Sequence, residues 1–366
     1  MARTDGQIAA GNGRLRREKA DERDDLSRLN AVRLIVVALI GLGYASTMPV
    51  GPGAREWLNL FGYDPSLFGL QVLFFLSGWL AWRSLASGRS LLEFTASRAR
   101  RILPWVALYT LIVVALLYPA LCDHGAAGRK DTVGLLRYFI ETVTLIRPGQ
   151  PMPGALDEAR YGCLLQGTIW TLRWGALAYA GLLVLHALGA RHWDWYAGLL
   201  VAGVAAHIGV DGWTDRTGSD LLGPAIPGLR LAVAFLLGVL VRQFRFAPLL
   251  RGRAWAVVSA ICLGAAYLHF HVLPWSRAIE LLAMSGWCAL AMAVLQARGA
   301  WLRGWPDIVL PAYLGVWPLA QLILALRPDI SVAALVVATL AAAFGTAFLF
   351  SRLARVRLLH RRVQPA

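Results

Sequence analysis

The chain has 366 residues, of which 58% are hydrophobic and 16% are charged. This charged fraction is far below the roughly 25% of an ordinary soluble domain. Together with a mean hydropathy of +0.56, it excludes a water-soluble globule and a mainly disordered chain. The formal net charge of +15 is divided among short basic clusters between apolar runs. That distribution argues against nucleic-acid binding and favours a polytopic membrane protein.

Ten apolar segments are long enough to cross a bilayer as helices. The predicted spans are 31–50, 66–86, 102–121, 168–190, 193–210, 225–243, 254–271, 275–297, 306–326 and 331–351. Residues 1–28 lack the apolar core of a signal peptide and are predicted to form a disordered cytosolic tail. The membrane domain is expected over 29–354, followed by a basic cytosolic tail over 355–366. A shorter segment at 133–146 predicts an interfacial or re-entrant helix.

The distribution of basic residues predicts the orientation. If the N-terminus lies inside, about two thirds of the 36 Lys and Arg residues fall on inner segments, as the positive-inside rule requires. The fold class is therefore an all-α membrane helix bundle of about ten spans, with both termini cytosolic.

The longest predicted connection, 122–167, lies on the outer side and contains Cys122 and Cys163. These two cysteines are compatible with a disulfide in an oxidising compartment, although the sequence leaves open whether they are bonded. Cys262 and Cys288 lie inside spans and are interpreted as packing residues. The sequence has no metal-ligand spacing and no glycine-rich phosphate loop, so we expect neither a tightly bound cofactor nor ATP-driven transport.

Ionisable residues inside spans are costly and are candidates for function. Arg33 either snorkels to the inner headgroups or has a functional role. For Arg173, Arg230 and Glu280 the alternatives are interfacial anchoring, mutual pairing or binding of an anionic group. The inner cluster Arg98–Arg101 fits the topology and also fits the phosphates of a cytosolic cofactor such as coenzyme A.

Several motifs, in order, resemble the acyltransferase-3 family of integral-membrane O-acyltransferases. The resemblance runs from Arg28 to the last span. Its motifs are Arg28–Arg33, Gly69–Gly78 with its Phe74-Phe75-Leu-Ser77-Gly78 end, Arg98–Pro104, Gln166–Leu172 followed by Tyr179, Phe235–Gly238, and Tyr313-Leu314 with Pro318.

The resemblance implies transfer of an acyl group from a cytosolic donor, usually acyl-CoA, to a hydroxyl of an outer glycan or glycolipid. It also implies a bacterial inner membrane and leaves the oligomeric state open. The implied catalytic positions are Tyr44 and Arg33. Arg98 and Arg101 would hold donor phosphates, Ser77 and Gly78 would shape the acyl path, and Trp170, Thr171 and Arg173 would line the acceptor side.

The sequence departs from the family pattern where proton transfer is expected. The family's catalytic His position holds Tyr44, its Glu position holds Gly175, and its later His position holds Val316. A first-helix Asp position holds Asn30. A tyrosine with a pKa near 10 is a poor base at neutral pH.

Three alternatives follow from these departures. The protein is an acyltransferase with a relocated base, a catalytically inactive scaffold, or a small-molecule or lipid transporter. The histidines considered for a relocated base are His124, His207, His269 and His271.

Overall fold

The computed structural model describes residues 2–59, 64–121, 132–152, 161, 163–217, 225–244, 252–272, 276–297 and 299–363, and it is helical with no strand among them. The eleven principal helices are α1 Ala2–Thr47, α2 Pro65–Ala86, α3 Leu91–Leu121, α4 Thr132–Val143, α5 Trp170–Ala187, α6 Trp193–Thr217, α7 Ile226–Gln243, α8 Gly252–Val272, α9 Arg277–Gln296, α10 Val309–Leu326 and α11 Val332–Val363.

Each of the ten predicted spans coincides with one of these helices. Within the described residues, eight helices are long and apolar enough to cross a membrane, so the chain is an integral, multi-pass membrane protein. Helices α5 and α6 are not among the eight. Arg173 and His186 lower the hydropathy of α5, and tryptophans with Asp194 lower that of α6. The short segment predicted at 133–146 is helical as α4.

The first helix begins at Ala2, which differs from the disordered tail predicted over 1–28. The physical reason lies in the residues before the membrane. Residues 14–28 contain many Arg, Glu, Ala and Leu residues and no proline, and these residue types favour helix. Once the membrane span has formed, each further residue adds one backbone hydrogen bond without a new nucleation cost.

Local signals set the starts of the next two helices. Helix α2 begins with Pro65 in its first turn, where a missing N–H costs nothing. Helix α3 follows a capping box in which the Glu93 N–H donates to Ser90 Oγ at 3.2 Å and the Ser90 N–H donates to Glu93 Oε2 at 3.1 Å. This cap fixes the entry of the helix that carries Arg98 and Arg101.

Helices α2 and α7 cross with their backbones in close contact. A Cβ at Gly78 would overlap the carbonyl oxygen of Phe235, and a Cβ at Gly238 would overlap that of Phe75. Small residues allow such close approach inside membranes. Gly78 therefore has a packing role at this crossing.

Candidate functional site

A cavity of about 970 Å³ lies between α1, α2, α3, α5 and α10. Three arginines, Arg33, Arg98 and Arg101, face it together with hydroxyl-bearing and apolar side chains. The remaining wall consists of Leu70, Leu73, Phe74, Ser77, Ile102, Leu145, Thr171, Leu172, Gly175, Ala176, Tyr179, Phe235, Val309, Leu310 and Tyr313. The cavity thus combines a cationic region with a mainly apolar wall, a combination that suits an amphipathic anion.

The arginines outnumber the carboxylates around this cavity. Arg98 lies 5.1 Å from the ring centroids of both Phe94 and Tyr179. Arg101 Nη2 pairs with Asp307 Oδ1 at 2.9 Å, and both side chains are about half exposed, so the pair is worth little on its own. Among the described residues, Arg33 Nε has no hydrogen-bond partner. The cationic region therefore retains positive charge.

Hydroxyl groups lie at the other end of the cavity. The Tyr313 hydroxyl donates to the Thr168 carbonyl at 2.8 Å, and Thr171 Oγ1 lies 2.7 Å from the Tyr313 oxygen. Tyr313 is near the start of α10, whereas Thr171 is the second residue of α5. Since they touch, α5 begins inside the bundle rather than at its surface. Thr171, assigned by resemblance to the acceptor side, thus shares a cavity with the arginines.

Tyr44, at the position of the expected catalytic histidine, is not among the residues that line the cavity. Its ring packs edge-on against Trp317 with centroids 5.4 Å apart. It is close enough to Tyr313 for an electrostatic interaction. The hydrogen-bonded pair Thr171–Tyr313 lies at the end of the cavity nearest Tyr44.

The predicted site residues divide into two groups. Those that meet in the cavity are Arg33, Arg98, Arg101, Ser77 and Thr171. Of the others, Gly78 lies at the crossing with α7, Tyr44 and Trp170 lie off the cavity, and Arg173 is exposed on α5. Gly175, where the family would have Glu, lines the cavity wall.

A buried carboxylate, Glu56, is a feature that the sequence interpretation missed. It lies in the connection between α1 and α2, is only 6% exposed, and accepts hydrogen bonds from the N–H (2.9 Å) and hydroxyl of Ser66. Its carboxylate occupies the space beside Gly43, where a Cβ would overlap it. It is near enough to Tyr44 to interact electrostatically.

Burial raises the pKa of Glu56 from 4.5 to about 7. The two hydrogen bonds from Ser66 oppose the shift, and the nearby charge of Asp64 adds to it. A carboxylate with a pKa near 7 exchanges protons readily at neutral pH. In the sequence Glu56 is one of several acids in connecting segments, and only the fold shows that it is buried.

A second polar cluster joins four helices on another face of α2. Glu280 Oε1 lies 2.5 Å from Arg230 Nε and accepts from Gln71 Nε2 at 2.9 Å, and Glu280 Oε2 lies 3.2 Å from His207 Nε2. Glu280 and His207 are fully buried. Of the alternatives for Arg230 and Glu280, the structure therefore has mutual pairing, while Arg173 does not take part.

Three of the four candidate histidines are described by the structure, and none of these three lines the cavity. His207 is held in the Glu280 cluster, and His271 packs against the ring of Tyr267 with centroids 4.3 Å apart. His269 lies in the last turn of α8. His124 falls outside the described residues.

Two further expectations concern cysteines and metals. Cys163 is disulfide-bonded, while Cys122 lies outside the described residues. Cys262 and Cys288 are free thiols within α8 and α9. Over the part of the chain that the structure describes, no three His, Cys, Asp or Glu side chains are grouped so as to hold a metal ion.

No family model, curated protein or solved structure matches this chain. The resemblance to the acyltransferase-3 family therefore stays a prediction from the motifs. The arginines and the apolar wall of the cavity are observations of the structure, and they do not depend on that resemblance.

Proposed function

We propose that this protein is a membrane O-acyltransferase that moves an acyl group from a cytosolic acyl-CoA-type donor to a hydroxyl of an extracytoplasmic glycan or glycolipid. One observation supports this proposal above the others. Five residues from four separate motifs of the resemblance, on four different helices, line one cavity: Arg33, Ser77, Arg98, Arg101 and Thr171.

An acyl-CoA-type donor fits the cationic region of this cavity with its phosphates and the apolar wall with its acyl chain. Arg98 and Arg101 offer guanidinium groups to its phosphates. The acyl chain lies against the apolar wall, which includes Phe74 and Leu310. Arg33, whose Nε has no hydrogen-bond partner among the described residues, lines the same cavity and adds a third cation for the donor phosphates.

The reaction itself is an acyl transfer between sulfur and oxygen. The acceptor hydroxyl oxygen forms a bond to the thioester carbonyl carbon, the carbon–sulfur bond breaks, and the thiolate leaves. The hydroxyl proton is removed by a base and finally reaches the thiolate sulfur, so that an ester and a free thiol result. In this proposal Glu56, with a pKa near 7 and close to Tyr44, supplies the base function that Tyr44 lacks.

The orientation forms part of the proposal. We place ten helices, namely the eight long apolar ones together with α5 and α6, across a bacterial inner membrane, with both termini in the cytosol. Arg98 and Arg101 then face the cytosolic donor, and Glu56 lies on the extracytoplasmic side. The arrangement of basic residues in the sequence supports this orientation.

A second candidate, a catalytically inactive scaffold that binds the donor, is favoured by a specific observation. Tyr44 does not line the cavity, whereas Thr171 and Tyr313, which hydrogen-bond to each other, do. Under this alternative the protein binds acyl-CoA without transferring the acyl group.

Donor binding and thioester cleavage by the purified protein separate these possibilities. For the enzyme we expect saturable binding of palmitoyl-CoA and release of free thiol when a glycan acceptor is present. Arg98→Ala and Arg101→Ala should each weaken binding about tenfold, as expected for one lost charge-assisted contact. Arg100→Ala is the matched control, since this neighbouring arginine is exposed and lies outside the cavity.

Each outcome has a distinct meaning. Binding with thiol release supports the acyltransferase, and binding without release under all acceptors supports the inactive scaffold. Absence of binding, or equal weakening by all three arginine substitutions, would contradict both.

A further inference from the structure

A basic hollow lies between the end of α2, the α5–α6 connection and the end of α7, apart from the cavity described above. Its volume is about 1270 Å³. Among the residues that the structure describes, its lining has three arginines, a histidine and two tryptophans, and no carboxylate. The lining residues are Trp82, Arg83, Ala86, Ser87, Arg191, His192, Trp193, Arg242 and Gln243.

Arginines are common at helix C-termini on the inner face of a membrane protein, and such arginines do not by themselves indicate a ligand. Arg83 and Arg242 do lie in the last turns of α2 and α7, where cations are favourable. Arg191 is different, because it lies in a connection and is exposed. Moreover, the side-chain nitrogen and oxygen of Gln243 are buried, and neither has a hydrogen-bond partner among the described residues. These observations point to a ligand in the hollow.

The hollow adjoins an apolar groove that runs between α5, α6 and α7. This groove has a volume of about 910 Å³. Tyr196, which lines the groove, packs against Trp82 of the hollow with ring centroids 5.3 Å apart. The Tyr196 hydroxyl donates to the Ala190 carbonyl at 2.9 Å, which fixes the ring at the junction. The basic hollow and the apolar groove therefore adjoin at this aromatic contact.

We propose that the hollow and the groove together bind one membrane lipid with an anionic phosphate headgroup. The phosphate lies among Arg83, Arg191 and Arg242, and the chain follows the groove along α5. Basic pockets between membrane helices recognise such headgroups by charge, and adjacent tryptophans anchor at the headgroup level. This site is separate from the acyl-transfer proposal and does not depend on it.

Lipid titration of the purified full-length chain, followed by native mass spectrometry, tests the proposal. The probes are dioleoylphosphatidylglycerol, dioleoylphosphatidylcholine with the same chains, and chain-free glycerol 1-phosphate. We expect the anionic lipid to bind at least tenfold more tightly than the zwitterionic one, and glycerol phosphate to bind more weakly than either. Arg191→Gln should weaken the anionic lipid about tenfold, while Arg100→Gln should not.

A second pair of variants tests the groove. A Cβ added at Gly181 or at Gly264 meets no other atom within 4 Å, and both glycines are exposed on helices, so both substitutions are expected to fold. Only Gly181 lines the groove. Gly181→Phe should therefore weaken both dioleoyl lipids, and Gly264→Phe should leave them unchanged.

Three results would overturn the proposal. Equal affinity for the two dioleoyl lipids would remove headgroup recognition. Equal loss in Arg191→Gln and Arg100→Gln would indicate general surface charge. Binding of glycerol phosphate as tight as that of the anionic lipid would show a site for a soluble phosphate instead.

Discussion

The stability of the protein should depend on pH through Glu56. Its carboxyl group is buried beside Gly43, and burial raises its pKa from 4.5 to about 7. The folded state then binds more protons than the unfolded state between these two values. Stability from this group is fully present below pH 4.5 and is lost as the pH rises through 7. This is the reverse of the usual behaviour of a salt-bridged carboxylate.

The size of the effect follows from the shift. The rise in pKa from 4.5 to about 7 corresponds to about 3.5 kcal/mol at about 1.4 kcal/mol per pKa unit, of which about 3 kcal/mol falls between pH 4 and pH 8. Glu56→Gln keeps the shape of the side chain and removes its titration. We therefore expect the difference in unfolding free energy between wild type and Glu56→Gln to change by about 3 kcal/mol from pH 4 to pH 8, with the wild type relatively less stable at pH 8.

Denaturant-induced unfolding in mixed micelles, followed by far-UV circular dichroism, provides the measurement. Comparing two variants at each pH cancels the titration of all other groups. Asp329→Asn is the control, since this carboxylate is exposed in the connection between α10 and α11. A wild type that becomes relatively more stable as the pH rises would show that the Ser66 hydrogen bonds outweigh burial, and would refute the reasoning.

Three further predictions concern binding and packing. In a direct binding assay, Arg98→Ala should reduce palmitoyl-CoA affinity about tenfold and Arg100→Ala should leave it unchanged; the reverse order would contradict the assignment of the cavity. Glu280→Gln should destabilise the protein by about 3 kcal/mol, because the Arg230 guanidinium loses its counter-charge; a change below about 0.5 kcal/mol in micellar unfolding would argue against a structural role. Gly78→Ala should cost about 1–3 kcal/mol through overpacking, whereas Gly345→Ala, which points into open space, should be neutral or stabilising in the same assay.

Hydropathy alone located all ten long helices, because about 20 consecutive apolar residues have few alternatives to a helix in a bilayer. It did not locate the depth at which α5 begins. The Thr171–Tyr313 hydrogen bond places that start inside the bundle, and no local pattern in the sequence indicates a contact between residues so far apart.

Contacts between side chains that are far apart in the sequence were only partly predictable. Arg98 and Arg101 were singled out because they lie together on one turn of α3, whereas their proximity to Arg33 in the cavity was not predicted. The ion pair of Arg101 with Asp307 joins residues 206 positions apart, and no local pattern indicates it. Glu56 was missed for the same reason, since its burial depends on contacts with two separate helices.

The position of Glu56 offers a physical explanation for the presence of Tyr44 where the acyltransferase-3 pattern would have a histidine. A histidine on α1 would deliver a titrating group from the helix itself, and this chain has Tyr44 there. Gly43, one residue earlier, has no side chain, and the vacated volume is filled by a carboxylate from the following connection. A Cβ at residue 43 would displace that carboxylate, so Gly43 and Glu56 are required together. In the proposed transfer, the titrating group belongs to the connection after α1 rather than to α1 itself. Gly43 leaves the space that the Glu56 carboxylate occupies.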